Sequence, residues 1–543
     1  MIGAALLAFA PSAAGAVAVF WAAAAYALRV RKRSGPLSWQ RAMRVGVLLV
    51  VTLGLTLPAT LGLIGSANTL LWAASDPQDP AGWLVAVVVG LLIWVSLRLA
   101  LRWPERLGQR TFVVGALTVA VGLRLAYVVM VENTPISDFA SMWRLSSKAT
   151  DLGLAATHAA LSETYSSWVY FERVLPYLFP LRALFGPESS SYTSANVALG
   201  AASSLLAYSL ARASFGDAAA RVALVLSLLA VEPLIAAEIP THDIPGAFLV
   251  LAALALASAA WRYRAAARDS AATLASLGFG VTALVLDMQR SLGGLLLFAH
   301  TLVAPLLARE TSPAEPVAVN VRTRFLPVLL VVAPLVVFVA GDRTLRAGGW
   351  RVPARLNTLP LSLAAATDSW ADGSYQHAFD DYRIAYQAVK PNWARLGIVK
   401  LATELRLDPA GQVGAYLRKA RNLFDLGGQT YFYLNDVRWR DGSTFAWTRR
   451  VEIAGRAFSV PFLVLLTLAS LWPWTRPRPP LLALFPLVFM ALLSLALLAI
   501  GEIQSRYVYP LWYIGAVYVG GWLASRRRDA GRGSDAAVST GDP

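Results

Sequence analysis

Cysteine is absent, so no disulfide staples this chain and no thiol carries its chemistry. Charge is scarce: 15% of the 543 residues are Asp, Glu, Lys or Arg, against about a quarter in ordinary soluble domains. Acidic residues are fewer than basic ones, 32 against 48, which leaves a net charge of +16. That excess does not point to nucleic acid, because Arg gathers in short clusters between apolar runs, the pattern of membrane loops facing the cytoplasm. A basic leader is also lacking ahead of the apolar run Gly3–Leu28, so a cleaved signal peptide is not expected.

What remains is apolar. Hydrophobic residues make up 57% of the chain and mean hydropathy is +0.54. Gly3–Leu28 ends in Arg29, Arg31, Lys32 and Arg33, which sets that end in the cytoplasm. Val45–Ile64 leads out, Trp83–Leu101 leads in to Arg102, Arg106 and Arg110, and Phe112–Val131 leads out again. The runs Tyr192–Ala211, Val222–Ala237, Gly246–Ala260, Ala272–Leu286, Leu292–Leu307, Phe325–Ala340, Ala457–Leu471, Leu481–Ile500 and Tyr507–Leu523 follow. Together they predict an all-α, polytopic membrane protein of about 13 spans in the plasma membrane, N-terminus outside and C-terminus inside. Two regions are too polar to cross. Ala140–Ala160 and Tyr165–Phe179, in the first large outer loop, have apolar residues at helical spacing and read as interfacial helices. Residues 342–456 form a mainly helical extracytoplasmic subdomain, with Val413–Leu423 among its helices. The domain reading is therefore 1–110, N-terminal spans; 111–341, core, with the outer loop 132–190; 342–456, outer subdomain; 457–525, C-terminal spans; and 526–543, a disordered cytoplasmic tail.

This topology carries four clusters of ionisable residues to one face: Asp138; Glu238 with His242 and Asp243; Asp287 with Arg290; and Glu502 with Arg506. Charges at membrane-helix ends either snorkel to water or face a cavity. Four clusters on one face favour a cavity. Asp138, Glu238, His242 and Asp243 offer oxygen and imidazole ligands that would suit a divalent cation such as Mg or Mn, although no spacing is diagnostic of a metal. Trp350, Trp370, Trp393, Trp439 and Trp447 in the large loop suit either sugar stacking or a small core and membrane belt.

The motifs resemble those of the C-type (GT-C) glycosyltransferases, whose members include protein O-mannosyltransferases and the aminoarabinose transferase of lipid A. The resemblance is carried by Ser137-Asp138-Phe139, by Glu238-Ile239-Pro240-Thr241-His242-Asp243, by Arg290 with Gly293 and Gly294, and by Glu502-Ile503-Gln504-Ser505-Arg506-Tyr507-Val508-Tyr509-Pro510. It spans about Val114 to Leu523. The Asp-Glu pair of the O-mannosyltransferases is missing, since Phe139 follows Asp138. The resemblance implies a GT-C-like bundle that moves a sugar from a polyprenyl-phosphate donor to a hydroxyl of a glycan, lipid or protein outside the cytoplasm. In that reading Asp138 is the base and Arg290, Arg506 and His242 meet the donor phosphate. Glu238, Asp243, Asp287 and Glu502 support them or bind a cation. A flippase for a lipid-linked substrate and a polysaccharide polymerase or ligase are the rival readings.

Overall fold

The computed structural model describes residues 39–74, 81–103, 108–133, 137–153, 156–157, 175–188, 190–310, 321–348, 403, 406–424, 437–439, 445–475, 481–500 and 508–539. The span expected at Gly3–Leu28 lies outside them. The protein is an α-helical polytopic membrane protein. Among the described residues eight helices are long and apolar enough to cross a membrane, or nine if one bent pair counts as a single span.

The helices follow the apolar runs. They are α1 (Trp39–Val51), which continues through a π-helical turn at Thr52–Thr56 into α2 (Leu57–Ala74), then α3 (Ala81–Arg102) and α4 (Gln109–Met130). The loop after α4 holds strand β1 (Val131–Asn133), α5 (Ser137–Leu152) and α6 (Leu175–Phe185). Next come α7 (Ser190–Phe215), α8 (Asp217–Leu229), the short α9 (Val231–Ile235), α10 (Asp243–Ala265), α11 (Asp269–Arg290), α12 (Gly293–Glu310) and α13 (Val321–Ala347). The chain closes with α14 (Pro409–Leu423), β2 (Val437–Trp439), α15 (Phe445–Thr475), α16 (Leu481–Ile500) and α17 (Leu511–Ser539). α17 thus runs to Ser539, beyond Arg526, where the sequence expects a disordered tail. Its Arg- and Ala-rich continuation suits a helix as well as it suits coil.

Burial sorts the helices into a core and a rim. α10 and α11 form a tight hairpin, α8 lies between α7 and α17, and α13 packs on α11. α3, α4 and α13 instead leave Leu91, Trp94, Val119, Val129, Val328 and Val336 exposed. Rows of large apolar side chains on helices of this length are what lipid covers. The span read at Val222–Ala237 is not straight: α8 and α9 meet at a 56° bend, where Ala230 is extended (φ −61°, ψ 122°).

The two long loops meet. β1 pairs antiparallel with β2, Val131 opposite Trp439 and Asn133 opposite Val437, so loops far apart in sequence lie at the same end of the bundle. α14 forms over the predicted stretch, yet its end is no independent surface element. Leu423 and Phe424 join the main core beside Gly62 of α2, and Lys419 is wholly buried.

A candidate active site at one end of the bundle

A second, smaller core lies under the loop that follows α4. Tyr127 and Val131 from α4 and β1, Met142, Leu145 and Ala149 from α5, and Tyr177 and Leu178 from α6 pack with Tyr192, Ile235 and Ile239. Spacings of three and four along α5 bring Met142, Leu145 and Ala149 onto one buried stripe. The backbone of Asp138 lies one turn before Met142, at the second residue of α5; its side chain lies outside the described atoms. The Arg182 guanidinium sits 4.6 Å from the Trp143 ring centroid, fastening α6 to α5, and Trp143 meets Tyr192 edge to face at 4.9 Å.

Asn196 of α7 holds the segment that carries Glu238. Its Nδ2 donates to the carbonyls of Ala237 (3.2 Å) and Ile239 (2.9 Å), and its Oδ1 accepts from the Tyr177 hydroxyl at 2.6 Å. A buried carboxamide with both ends used fixes a segment whose own backbone bonds amount to a single 3-10 turn, Ala236–Glu238, closed by the Ile239 amide on the Ala236 carbonyl (3.1 Å), and a bond from the Thr241 amide to the Ile239 carbonyl (2.8 Å). Burial pushes the Tyr177 phenol above its ordinary range, so it stays a donor. Glu238 is 6% exposed and lies within electrostatic reach of Tyr127 and Tyr192. Those two phenol hydroxyls are buried and have no hydrogen-bond partner among the described residues.

Five residues beyond Glu238 the chain enters α10 at Asp243. The Thr241 hydroxyl donates to Asp243 Oδ2 (2.7 Å) and accepts from the Asp243 amide (3.2 Å). Asp243 stands in the first turn, where the helix dipole favours an anion. It forms an ion pair with Arg290, and the two side chains are 1% and 6% exposed. Arg290 ends α11, and Ser291 then turns in the left-handed region (φ 48°) to start α12. Asp287 Oδ1 accepts from the Gly294 amide at 3.4 Å, a weak cap on the new helix. Glycine is required at 293, since a Cβ there would run into the Ala283 carbonyl oxygen and Asp287 Cβ. Gly246 is tight as well: a Cβ there would sit 3.1 Å from Arg290 Cδ.

The structure therefore brings Asp243 and Arg290 together and sets Glu238, half-buried His242 and Asp287 on adjoining turns at the same end. Glu502 and Arg506 lie outside the described residues. Among the described residues no three His, Asp or Glu side chains gather as a cation would need, and Asp243 is committed to Arg290 and Thr241. The described donors do not build a metal site.

Several buried polar residues escape the sequence reading. Glu232 of α9 is 3% exposed and accepts from Trp512 Nε1 at 2.8 Å. Arg124, 1% exposed within α4, donates from Nη1 to Ala120 O at 3.3 Å, and its Nε and Nη2 have no hydrogen-bond partner among the described residues. The available signal was an ionisable residue inside an apolar run, costly unless it faces other protein groups.

No family model matches the sequence, and no curated protein matches it. Two solved structures align with the chain. One is the oligosaccharyltransferase of Archaeoglobus fulgidus in its apo form, at 13% identity and a TM-score of 0.35, covering 80% of this chain and 52% of that one. The other is ArnT from Cupriavidus metallidurans bound to undecaprenyl phosphate, at 16% identity and a TM-score of 0.31, covering 74% of this chain and 77% of that one. The chain spans about half the length of the oligosaccharyltransferase it aligns with.

Proposed function

We propose that this protein is a glycosyltransferase that moves a sugar from a polyprenyl-phosphate donor to an acceptor hydroxyl at the extracytoplasmic face of the plasma membrane. The observation that supports this most is the gathering of buried Glu238, Asp243 and Arg290 at one end of the bundle, beside the helix that begins at Ser137-Asp138. Burying such groups costs several kcal/mol unless they are paired or used.

The chemistry assigns each group a role. The acceptor oxygen attacks the anomeric carbon and its proton passes to the Asp138 carboxylate, because a neutral hydroxyl is a weak nucleophile. The bond between that carbon and the phosphate oxygen breaks, and polyprenyl phosphate leaves with the electron pair. An anion that stable needs cations rather than an acid, a role that suits Arg506 and His242. Arg290 offers the phosphate only those of its five N–H groups that its protein partners leave over. Its pairing with Asp243 makes it first the clamp between the α10 and α11–α12 turns. Tyr127 and Tyr192 bring phenol hydroxyls towards the Glu238 side of the site, suited to sugar or phosphate oxygens. Direct displacement inverts the anomeric centre.

The test is to incubate purified protein with radiolabelled polyprenyl-phospho-sugars and an extract of envelope acceptors. Loss of label from the lipid into an acceptor is expected. The bend between α8 and α9 favours a second reading, a flippase, since transporters break helices where they bind. Label that stays on the lipid but changes leaflet in proteoliposomes would select it.

A further inference from the structure

At the other end of α4 and α7 lies a cavity of about 680 Å³. Gln109 lines it, and Tyr127 of the same helix borders Glu238 from 18 residues away, about 27 Å at 1.5 Å per residue. The cavity is thus remote from the candidate active site. Its volume falls within the roughly 300–1,000 Å³ of small-molecule sites.

Its walls are basic and aromatic. Arg221, Arg527, Arg528 and Trp103 face it, and Asp217 is the acidic residue among the lining groups. Asp217 is bridged by Arg212 at 2.8 Å, which offsets its charge. Arg221, 9% exposed, is anchored by bonds from Nε to the Ala100 carbonyl (2.7 Å) and from Nη1 to Gln109 Oε1 (2.8 Å). Arg527 donates from Nη1 to the Leu101 carbonyl, which holds one edge of its guanidinium at the wall, and Arg528 is exposed at the rim. The α8 helix begins at the same wall with Asp217 and Ala218, its N-terminal amides adding positive potential. Beyond Gln109 at the cavity wall, the same helix α4 carries Val114 and Val119, both exposed.

We propose that this cavity binds the phosphate group of an anionic membrane lipid, with Arg528, Arg527 and Arg221 around the phosphate and the acyl chains lying along α4. In the positive-inside topology this is a cytoplasmic-leaflet site, and basic pockets between spans on that side suit such headgroups. A free phosphate carries the same recognition chemistry, so the test separates the two sources. Nothing in the inference depends on sugar transfer.

The experiment uses full-length protein in nanodiscs of phosphatidylcholine with or without phosphatidylglycerol, read by native mass spectrometry and by thermal unfolding. Wild type should retain phosphatidylglycerol, and Arg527→Gln/Arg528→Gln should lose that retention about tenfold to thirtyfold. Arg526 is the control, because it lies over the Trp522 ring, 5.9 Å from its centroid, and does not line the cavity. Arg526→Gln should keep the lipid, and Asp217→Asn should bind it more tightly. Inorganic phosphate added to phosphatidylcholine discs is the second arm. If it raises wild-type stability through Arg527 and Arg528 while phosphatidylglycerol does not, the phosphate site stands and its ligand is soluble. Equal loss of lipid in the Arg526 and Arg527/Arg528 variants, or no effect of either ligand, overturns the proposal.

Discussion

Asp243 and Arg290 join the first turn of α10 to the last turn of α11, and both side chains are almost fully withdrawn from solvent. Removing one partner strands a buried charge, which costs about 3–5 kcal/mol. Arg290→Ala and Asp243→Asn should each lower the unfolding midpoint in detergent sharply. Asp243→Asn/Arg290→Met should recover much of that loss, since it removes both charges. A double variant no more stable than the singles would mean that the pair is not what holds these turns.

Asp138→Asn preserves shape and removes the proton acceptor. Transfer should fall about 10²- to 10⁴-fold, while unfolding and donor binding stay as in wild type. Measured turnover equal to wild type would take Asp138 out of the mechanism.

Asn196→Ala takes the Asn196 bond from the Tyr177 hydroxyl and the Ala237 carbonyl, at about 1–3 kcal/mol for each group left buried and unsatisfied, while the Ile239 carbonyl keeps the Thr241 amide. Donor binding should weaken along with stability, because the loop that carries Glu238 loses its anchor. Asn196→Asp keeps the acceptor but loses the donors, so it should rescue little.

The Tyr177 phenol sets a pH dependence. Burial raises its folded-state value above the ordinary 10.0, so the folded protein holds this proton more tightly than the unfolded chain. The stability it contributes is full below about pH 10 and declines as pH rises beyond that. Unfolding midpoints measured from about pH 9 to pH 11 should fall more steeply for wild type than for Tyr177→Phe. Parallel slopes would count against the assignment.

Gly293→Ala drives a methyl group into the Ala283 carbonyl and Asp287. A cost of about 1–3 kcal/mol is expected, read as a lower unfolding midpoint, with transfer lost in proportion. A silent substitution would mean that the α11–α12 turn yields easily.

Much of the architecture was legible because a bilayer imposes one simple rule, a long apolar run closed by Arg, and α3, α4, α10, α11 and α13 obey it. The same rule hid Arg124. One guanidinium scarcely dents the apolarity of a 22-residue helix, yet it sits beside Gly200 of α7 at 1% exposure. Glu238, Asp243 and Arg290 were visible as charges at helix ends. Their pairing was not, because which carboxylate meets Arg290 depends on how the α10 and α11–α12 turns pack. α14 shows a further limit: its polar face reads as an outer-loop helix, but burial of Lys419 and Phe424 depends on the groove that α2 offers. Asn196 gave no signal at all, since one Asn in a small-residue helix is ordinary until its loop partners are in place.

The β1–β2 ribbon has a consequence for biogenesis. Its two strands lie about 300 residues apart, a separation that makes closure slow and late. During synthesis β1 stays without this partner until Val437–Trp439 has been made, after most of the spans among the described residues. A chain truncated before Val437 would leave β1 without its strand partner, so the end of the bundle that holds Glu238, Asp243 and Arg290 would lack the ribbon that ties its two loops together.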